Sequence, residues 1–135
     1  MKLFIDGNII LDVLQKREPH YQDSSMIWKL CETEQASGCV SALTIANLVY
    51  VMRKELSPAM IEDVIHKLGL IFQITELTAT DLSKASKMHW NDFEDALQAS
   101  SAERIHADYI ITRNVKDFAG SKVKATTPTE FLAKW

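Results

Sequence analysis

A three-layer α/β/α fold around a central, mostly parallel sheet of four to five strands is the class this sequence predicts. Short apolar runs alternate with longer stretches at helical spacing, the pattern of strands joined by helical crossovers. Caps and breakers fall between them, and 135 residues suffice for one core that buries roughly two-thirds of the unfolded surface. No repeat, low-complexity tract or linker interrupts the order, so residues 1–135 are expected to form a single domain.

The first strand is expected over Lys2–Ile5. It ends at Asp6-Gly7-Asn8, and Ile9, Ile10, Val13 and Leu14 then follow at helical spacing. Glu18-Pro19 breaks that helix. Tyr21 to Glu34 carries Met26, Ile27, Leu30 and Cys31 on one face and predicts a second helix, before a turn at Ser37-Gly38 and a short strand, Cys39–Ser41. Thr44 to Lys54 reads as a helix with Leu48, Val51 and Met52 inward. Ser57-Pro58 opens the next, with Met60, Ile61, Val64, Ile65 and Leu68 on its buried side and Gly69 as its C-cap.

Leu70–Ile74 is apolar, partly β-branched and bounded by polar residues, as a strand should be. Thr80 or Asp81 is expected to cap a short helix to Met88, and Asn91 or Asp92 to cap the one after it. Tyr109–Ile111 predicts a strand, Thr112–Phe118 a polar turn, Val123–Thr126 a last strand, and Thr127-Pro128 the start of a final helix.

Composition bounds the function. With 47% hydrophobic and 24% charged residues and no run long enough to span a bilayer, the chain reads as soluble, with no membrane role. The opening Met-Lys-Leu-Phe-Ile-Asp is too short an apolar run for a signal peptide, which predicts a cytoplasmic location. A net charge of −3 argues against coating a polyanion, although bound divalent cations can reverse the sign locally. Cys31 and Cys39 lack zinc-site spacing and are expected to be reduced. His20, His66, His89 and His106 are scattered, which argues against histidine-centred catalysis. Gly7, Gly38, Gly69 and Gly120 stand alone, so no phosphate-binding loop is present.

What remains is carboxylates. Asp92, Glu94 and Asp95 crowd one predicted helix start, where acids also suit the helix dipole. Asp95 lies three residues after Asp92 and shares its face, while Ala96, Ala99, Ser100, Ser101 and Ala102 keep the helix thin enough to pack closely on a sheet. Asp6 ends one strand, and Asp117 follows another in the polar turn. In open parallel sheets, ligands sit beyond such strand ends. Two unit charges ~4 Å apart repel by about 4 kcal/mol at an effective dielectric of ~20. Gathered carboxylates therefore need either protons or a hard cation, and oxygen-only ligation favours Mg²⁺ or Mn²⁺. Asp12 with Lys16 reads as an ordinary i, i+4 pair. Phe93 and Phe118 are expected to pack under the site, and Trp90 to rim it.

Phe4-Ile5-Asp6-Gly7-Asn8-Ile9-Ile10-Leu11-Asp12, Ser41-Ala42-Leu43-Thr44-Ile45-Ala46-Asn47-Leu48, Asp92-Phe93-Glu94-Asp95-Ala96-Leu97 and Ile111-Thr112-Arg113-Asn114-Val115-Lys116-Asp117-Phe118 together resemble the PIN-domain family, including its small VapC-like members. The resemblance spans essentially the whole chain. It implies a metal-dependent endoribonuclease of prokaryotic toxin–antitoxin type, acting on single-stranded or structured RNA, often dimeric and often paired with an antitoxin. Carried over, Asp6, Asp95 and Asp117 resemble the family's metal carboxylates, with Asn8, Thr112 and Asn114 as support. Asn47 stands where much of the family has Glu, and Gly7 where Thr or Ser is usual; Asp92 is then the acid expected to restore the charge. Arg113 and Lys116 are expected on substrate phosphates, with Arg53 and Lys54 extending the track, although a solvated charged face accounts for each equally well. Two other readings stay open. Asn47 suits a PIN fold that binds RNA or a protein without cutting. A phosphatase of the haloacid dehalogenase type also places an Asp after its first strand, but expects a second acid at Asn8.

Overall fold

The computed structural model describes residues 1–135. Five strands, β1 (Lys2–Ile5), β2 (Ser37–Ser41), β3 (Gln73–Thr75), β4 (Tyr109–Ile111) and β5 (Lys124–Thr126), form one wholly parallel sheet in the order β3-β2-β1-β4-β5. The helices are α1 (Gly7–Leu14), α2 (Tyr21–Glu32), α3 (Ala42–Val51), α4 (Pro58–Ile71), α5 (Ala79–Met88), α6 (Phe93–Arg104) and α7 (Pro128–Ala133), and a 3₁₀ turn spans Val115–Phe118. None is long and apolar enough to cross a membrane.

The two-residue period of the strands sorts the core into two layers. Leu3, Ile5, Val40 and Ile111 pack with residues of α1, α2, α3, α4 and α7, whereas Phe4, Cys39 and Ile110 pack with Ala99 and Ala102 of α6 and with Phe118. The result is the expected three-layer sandwich. Its order matters for the site: the chain runs outward from β1 through β2 to β3, then returns to place β4 on β1's other side. Ile5 pairs with Ile111, so the next residues of each strand, Asp6 and Thr112, leave the sheet side by side where the order reverses.

Polar caps set most helix starts. Asp92 accepts the Asp95 N–H at 3.1 Å, Ser41 accepts that of Leu43, Ser57 that of Met60 and Thr127 that of Glu130. Thr78 and Asp81 form a reciprocal capping box, so the cap of α5 lies before the expected Thr80 or Asp81 and Asp81 occupies the third helical position.

Several expected boundaries move. Because Ser41 is the cap, α3 starts at Ala42 rather than Thr44 and ends at Val51, which is exposed while Leu48 and Met52 are buried. α4 continues past Gly69 to Ile71, since no glycine in the chain adopts positive φ and Leu68 and Phe72 anchor the helix end to the core. Leu70 is therefore helical and exposed, and the strand begins only at Gln73. Met60 and Ile65, expected inside, face outward, as does Met26 of α2, which stops at Glu32. Cys31 and Cys39 are buried free thiols. Burial pushes the Cys31 thiol up to about 12 and raises that of Cys39, so both stay neutral and unreactive.

Candidate active site

Asp6 occupies the cap position of α1, yet its side chain caps nothing. The carboxylate turns instead toward the reversal point, where it is 8% exposed. Thr112, fully buried, donates its hydroxyl to Asp6 Oδ2 at 2.8 Å, and the Gln98 amide donates Nε2 to Oδ1 at 3.4 Å. Both partners are neutral, and Asp6 forms no salt bridge. Thr112 Oγ1 also accepts the Asn114 N–H at 3.1 Å, and the Asn114 carbonyl accepts the Asp117 N–H at 3.0 Å. The two acids thus stand at the ends of one hydrogen-bonded turn.

α6 brings the others. Asp92 and Asp95 in its first turn, with Asp117 and Lys116 of the 3₁₀ turn, line a crevice of about 360 Å³. Trp90 and Gly120 form a wall of it: a Cβ on Gly120 would lie 3.3 Å from the indole, so glycine lets the ring lie close, and Phe118 meets the ring edge-on at 6.2 Å. Trp90 therefore rims the crevice as expected and Phe118 lies beneath. Phe93, expected beneath as well, is exposed.

Burial, then the charges of Asp92, Asp6, Asp117 and Glu94, push the Asp95 carboxyl up to about 7. All five acids act in one field. No three of them already surround a single point at direct ligand distance. Mg²⁺ retains several waters and takes one or two carboxylates, so an open, oxygen-only group of this kind suits a hard divalent cation. Asp6, Asp92, Asp95 and Asp117 are the residues that would supply its direct carboxylates and the acceptors for its waters.

The remaining predicted residues divide. Asn47 of α3 donates its amide to Glu94 Oε1 of α6 in an exposed contact. Asn8, half-buried in the first turn of α1, makes no side-chain hydrogen bond within the protein. Arg113, expected on phosphates, is committed elsewhere: its Nε lies 3.1 Å from Asp12 Oδ2, and Nη2 donates to Oδ1 at 3.1 Å. Asp12 is fully buried and accepts the Ser24 hydroxyl at 2.9 Å, so the expected Asp12–Lys16 surface pair does not form. Arg53 stacks over Tyr50, 4.2 Å from the ring centroid. Sequence reasoning also passed over Gln98, although it lies three residues after Asp95 on the same helical face.

A wholly parallel α/β sandwich with aspartates around the carboxyl edge of its sheet defines the class. The chain belongs to the PIN domain family, whose sequence profile matches residues 2–116. Ribonuclease VapC1 of Aquifex aeolicus (strain VF5) is 24% identical over 139 aligned positions, which cover 99% of this chain and 95% of that protein. A toxin–antitoxin complex from Klebsiella pneumoniae contains a chain with the same fold (TM-score 0.72, 19% identity, 93% of this chain and 97% of that one). VapBC-1 from nontypeable Haemophilus influenzae contains another (TM-score 0.71, 18% identity, 96% and 99%).

Proposed function

We propose that this PIN domain is a divalent-cation-dependent endoribonuclease, the toxin of a toxin–antitoxin pair. It would act in the cytoplasm as a single 1–135 unit that hydrolyses phosphodiester bonds of single-stranded or structured RNA. The observation that carries the reading is the nearly buried Asp6 carboxylate, held by neutral donors and close enough to Asp95 to raise its carboxyl, as Asp92 and Asp117 also do. Kinship with a ribonuclease over nearly the full length of both chains supports it, and likeness to a chain of a toxin–antitoxin complex supports an antitoxin as partner.

The residues divide the work. Asp6, Asp95 and Asp117, with Asp92, hold Mg²⁺ or Mn²⁺. When bound, the cation supplies acidification of a water and stabilisation of charge on the scissile phosphate. Thr112 and Asn114 fix Asp6 and Asp117 relative to each other. Lys116, on the same crevice wall, meets a phosphate as a flexible point charge. Asn47 holds Glu94, whose charge reaches Asp95, so α6 supplies a carboxylate where α3 contributes none.

The test is cleavage of a single-stranded RNA with Mn²⁺ and then with excess chelator. Wild-type protein should cut only with the cation, and Asp95→Asn should lower the rate by about 10²-fold or more, as removal of a group organising transition-state charge does elsewhere. RNA binding without cleavage, at high protein concentration and with Mn²⁺, would identify a binding module instead.

A further inference from the structure

Gln98 does something that neither packing nor capping explains. It is 5% exposed on the inner face of α6, and its Nε2 donates to Asp6 Oδ1 at 3.4 Å. Its other amide atom, Oε1, is buried with no hydrogen-bond partner in the protein. The opposite amide orientation would set Oε1 against the carboxylate, oxygen against oxygen, so the Asp6 contact itself decides which atom is left over. A buried acceptor without a donor normally costs about 1–3 kcal/mol. A fold that only needed to fill this volume would be better served by Leu or Met.

We infer that Gln98 is a positioning residue of the cation site. Nε2 orients the Asp6 carboxylate, while Oε1 accepts a hydrogen from water carried in by the hydrated cation, so the amide bridges the first acid and the ion's hydration shell. The chemistry of the neighbours leaves this role open. Thr112 spends its hydroxyl proton on Asp6 Oδ2, and Asp92 accepts the Asp95 N–H as the helix cap. Among these neighbours the one buried oxygen with no donor is on Gln98. Hydrogen-bond partners one step removed from a metal ligand typically set 10- to 100-fold of metal affinity. The inference rests on the cation-dependent reading above, but concerns a residue outside its four acids.

Three proteins separate the two ideas: wild type, Gln98→Met and Gln98→Glu, each titrated with Mn²⁺ at pH 8 by calorimetry and melted in chelator. Gln98→Met keeps the volume and removes the orphan acceptor. Removal of the orphan acceptor and loss of the long Nε2 contact to Asp6 offset each other, so its cation-free melting temperature should match that of wild type while Mn²⁺ binds about 10- to 100-fold more weakly. Gln98→Glu restores an acceptor, and should recover affinity at least to the wild-type level while melting lower without the cation. Equal Mn²⁺ affinity in wild type and Gln98→Met overturns the role of Gln98 and leaves the nuclease reading standing. Absence of Mn²⁺ binding by wild type removes both. A Gln98→Met protein that melts lower yet binds Mn²⁺ as tightly shows a packing residue, and also overturns the inference.

Discussion

Asp12 shows how a single residue can support a site it does not enter. Its carboxylate is fully buried, and Arg113, reaching across from the turn after β4, sets two guanidinium nitrogens 3.1 Å from its two oxygens. Arg113 lies between Thr112, which holds Asp6, and Asn114, which holds Asp117. The ion pair therefore fastens the turn after β4 to α1. Truncating one partner of a buried pair strands the other, a loss of about 3–5 kcal/mol in well-buried cases. Because the Arg113 side chain is 26% exposed, Arg113→Ala should fall near the low end, about 3 kcal/mol by urea denaturation. A loss of under about 1 kcal/mol would class the pair with ordinary surface bridges. Had Arg113 served substrate phosphates alone, its removal would leave stability untouched.

At the scale of elements, α6 determines how closely the acids approach the sheet. Ala96, Ala99, Ser100, Ser101 and Ala102 are all buried. Ala99 and Ala102 lie on Phe4, Ile110 and Phe118, while Ala96 packs on Ala85 and Ser101 donates to Asp81 of α5. Small residues thus let α6 pack closely on both sides while Asp92 and Asp95 stand at its start. Ala102→Leu should cost about 1–3 kcal/mol through overpacking, read as a lower melting temperature, and should weaken Mn²⁺ binding because Asp95 and Gln98 ride on the same helix. Unchanged Mn²⁺ affinity in a destabilised Ala102→Leu protein would mean that the first turn is held by its caps alone. The thin face and the Asp92 cap were legible because both are local: neighbouring residues in sequence decide them. Strand ends were legible for the same reason, so Asp6 and Thr112 could be placed at the sheet's carboxyl edge. The Asp12–Arg113 pair was not, because its partners are 101 positions apart and nothing near Asp12 tells a buried acid from a surface one. The outward face of α4 was misread for a related reason. Periodicity shows that Met60 and Ile65 share a stripe with Leu68, but not that only the end of that stripe meets the core.

The whole molecule couples the acids to pH. Burial, and then the charges of Asp92, Asp6, Asp117 and Glu94 that the fold brings near, move the Asp95 carboxyl from its ordinary 3.8 to about 7. The folded protein then holds that proton more tightly than the unfolded chain does. Stability from this group is fully present below about 4 and is lost as pH rises through 7. Asp81 works the other way and in a different range. Burial raises its carboxyl, but the hydrogen bonds from Arg104 and Thr78 outweigh that and hold it below 3.8, so its contribution disappears only as pH falls below the ordinary carboxylate range. Between pH 5 and 8 the Asp95 effect therefore stands apart. In chelator, wild type should lose melting temperature across that interval relative to Asp95→Asn, which has no proton to release. A divalent cation competes with the same proton, so Mn²⁺ should raise the wild-type melting temperature more at pH 8 than at pH 5. At ~100 times its dissociation constant, the gain is about 2.7 kcal/mol at whichever pH that constant applies. Parallel melting curves for wild type and Asp95→Asn from pH 5 to 8, with no added effect of Mn²⁺ at the upper end, would show that neither burial nor the neighbouring carboxylates raise Asp95. The cation-dependent mechanism would then lose its electrostatic basis.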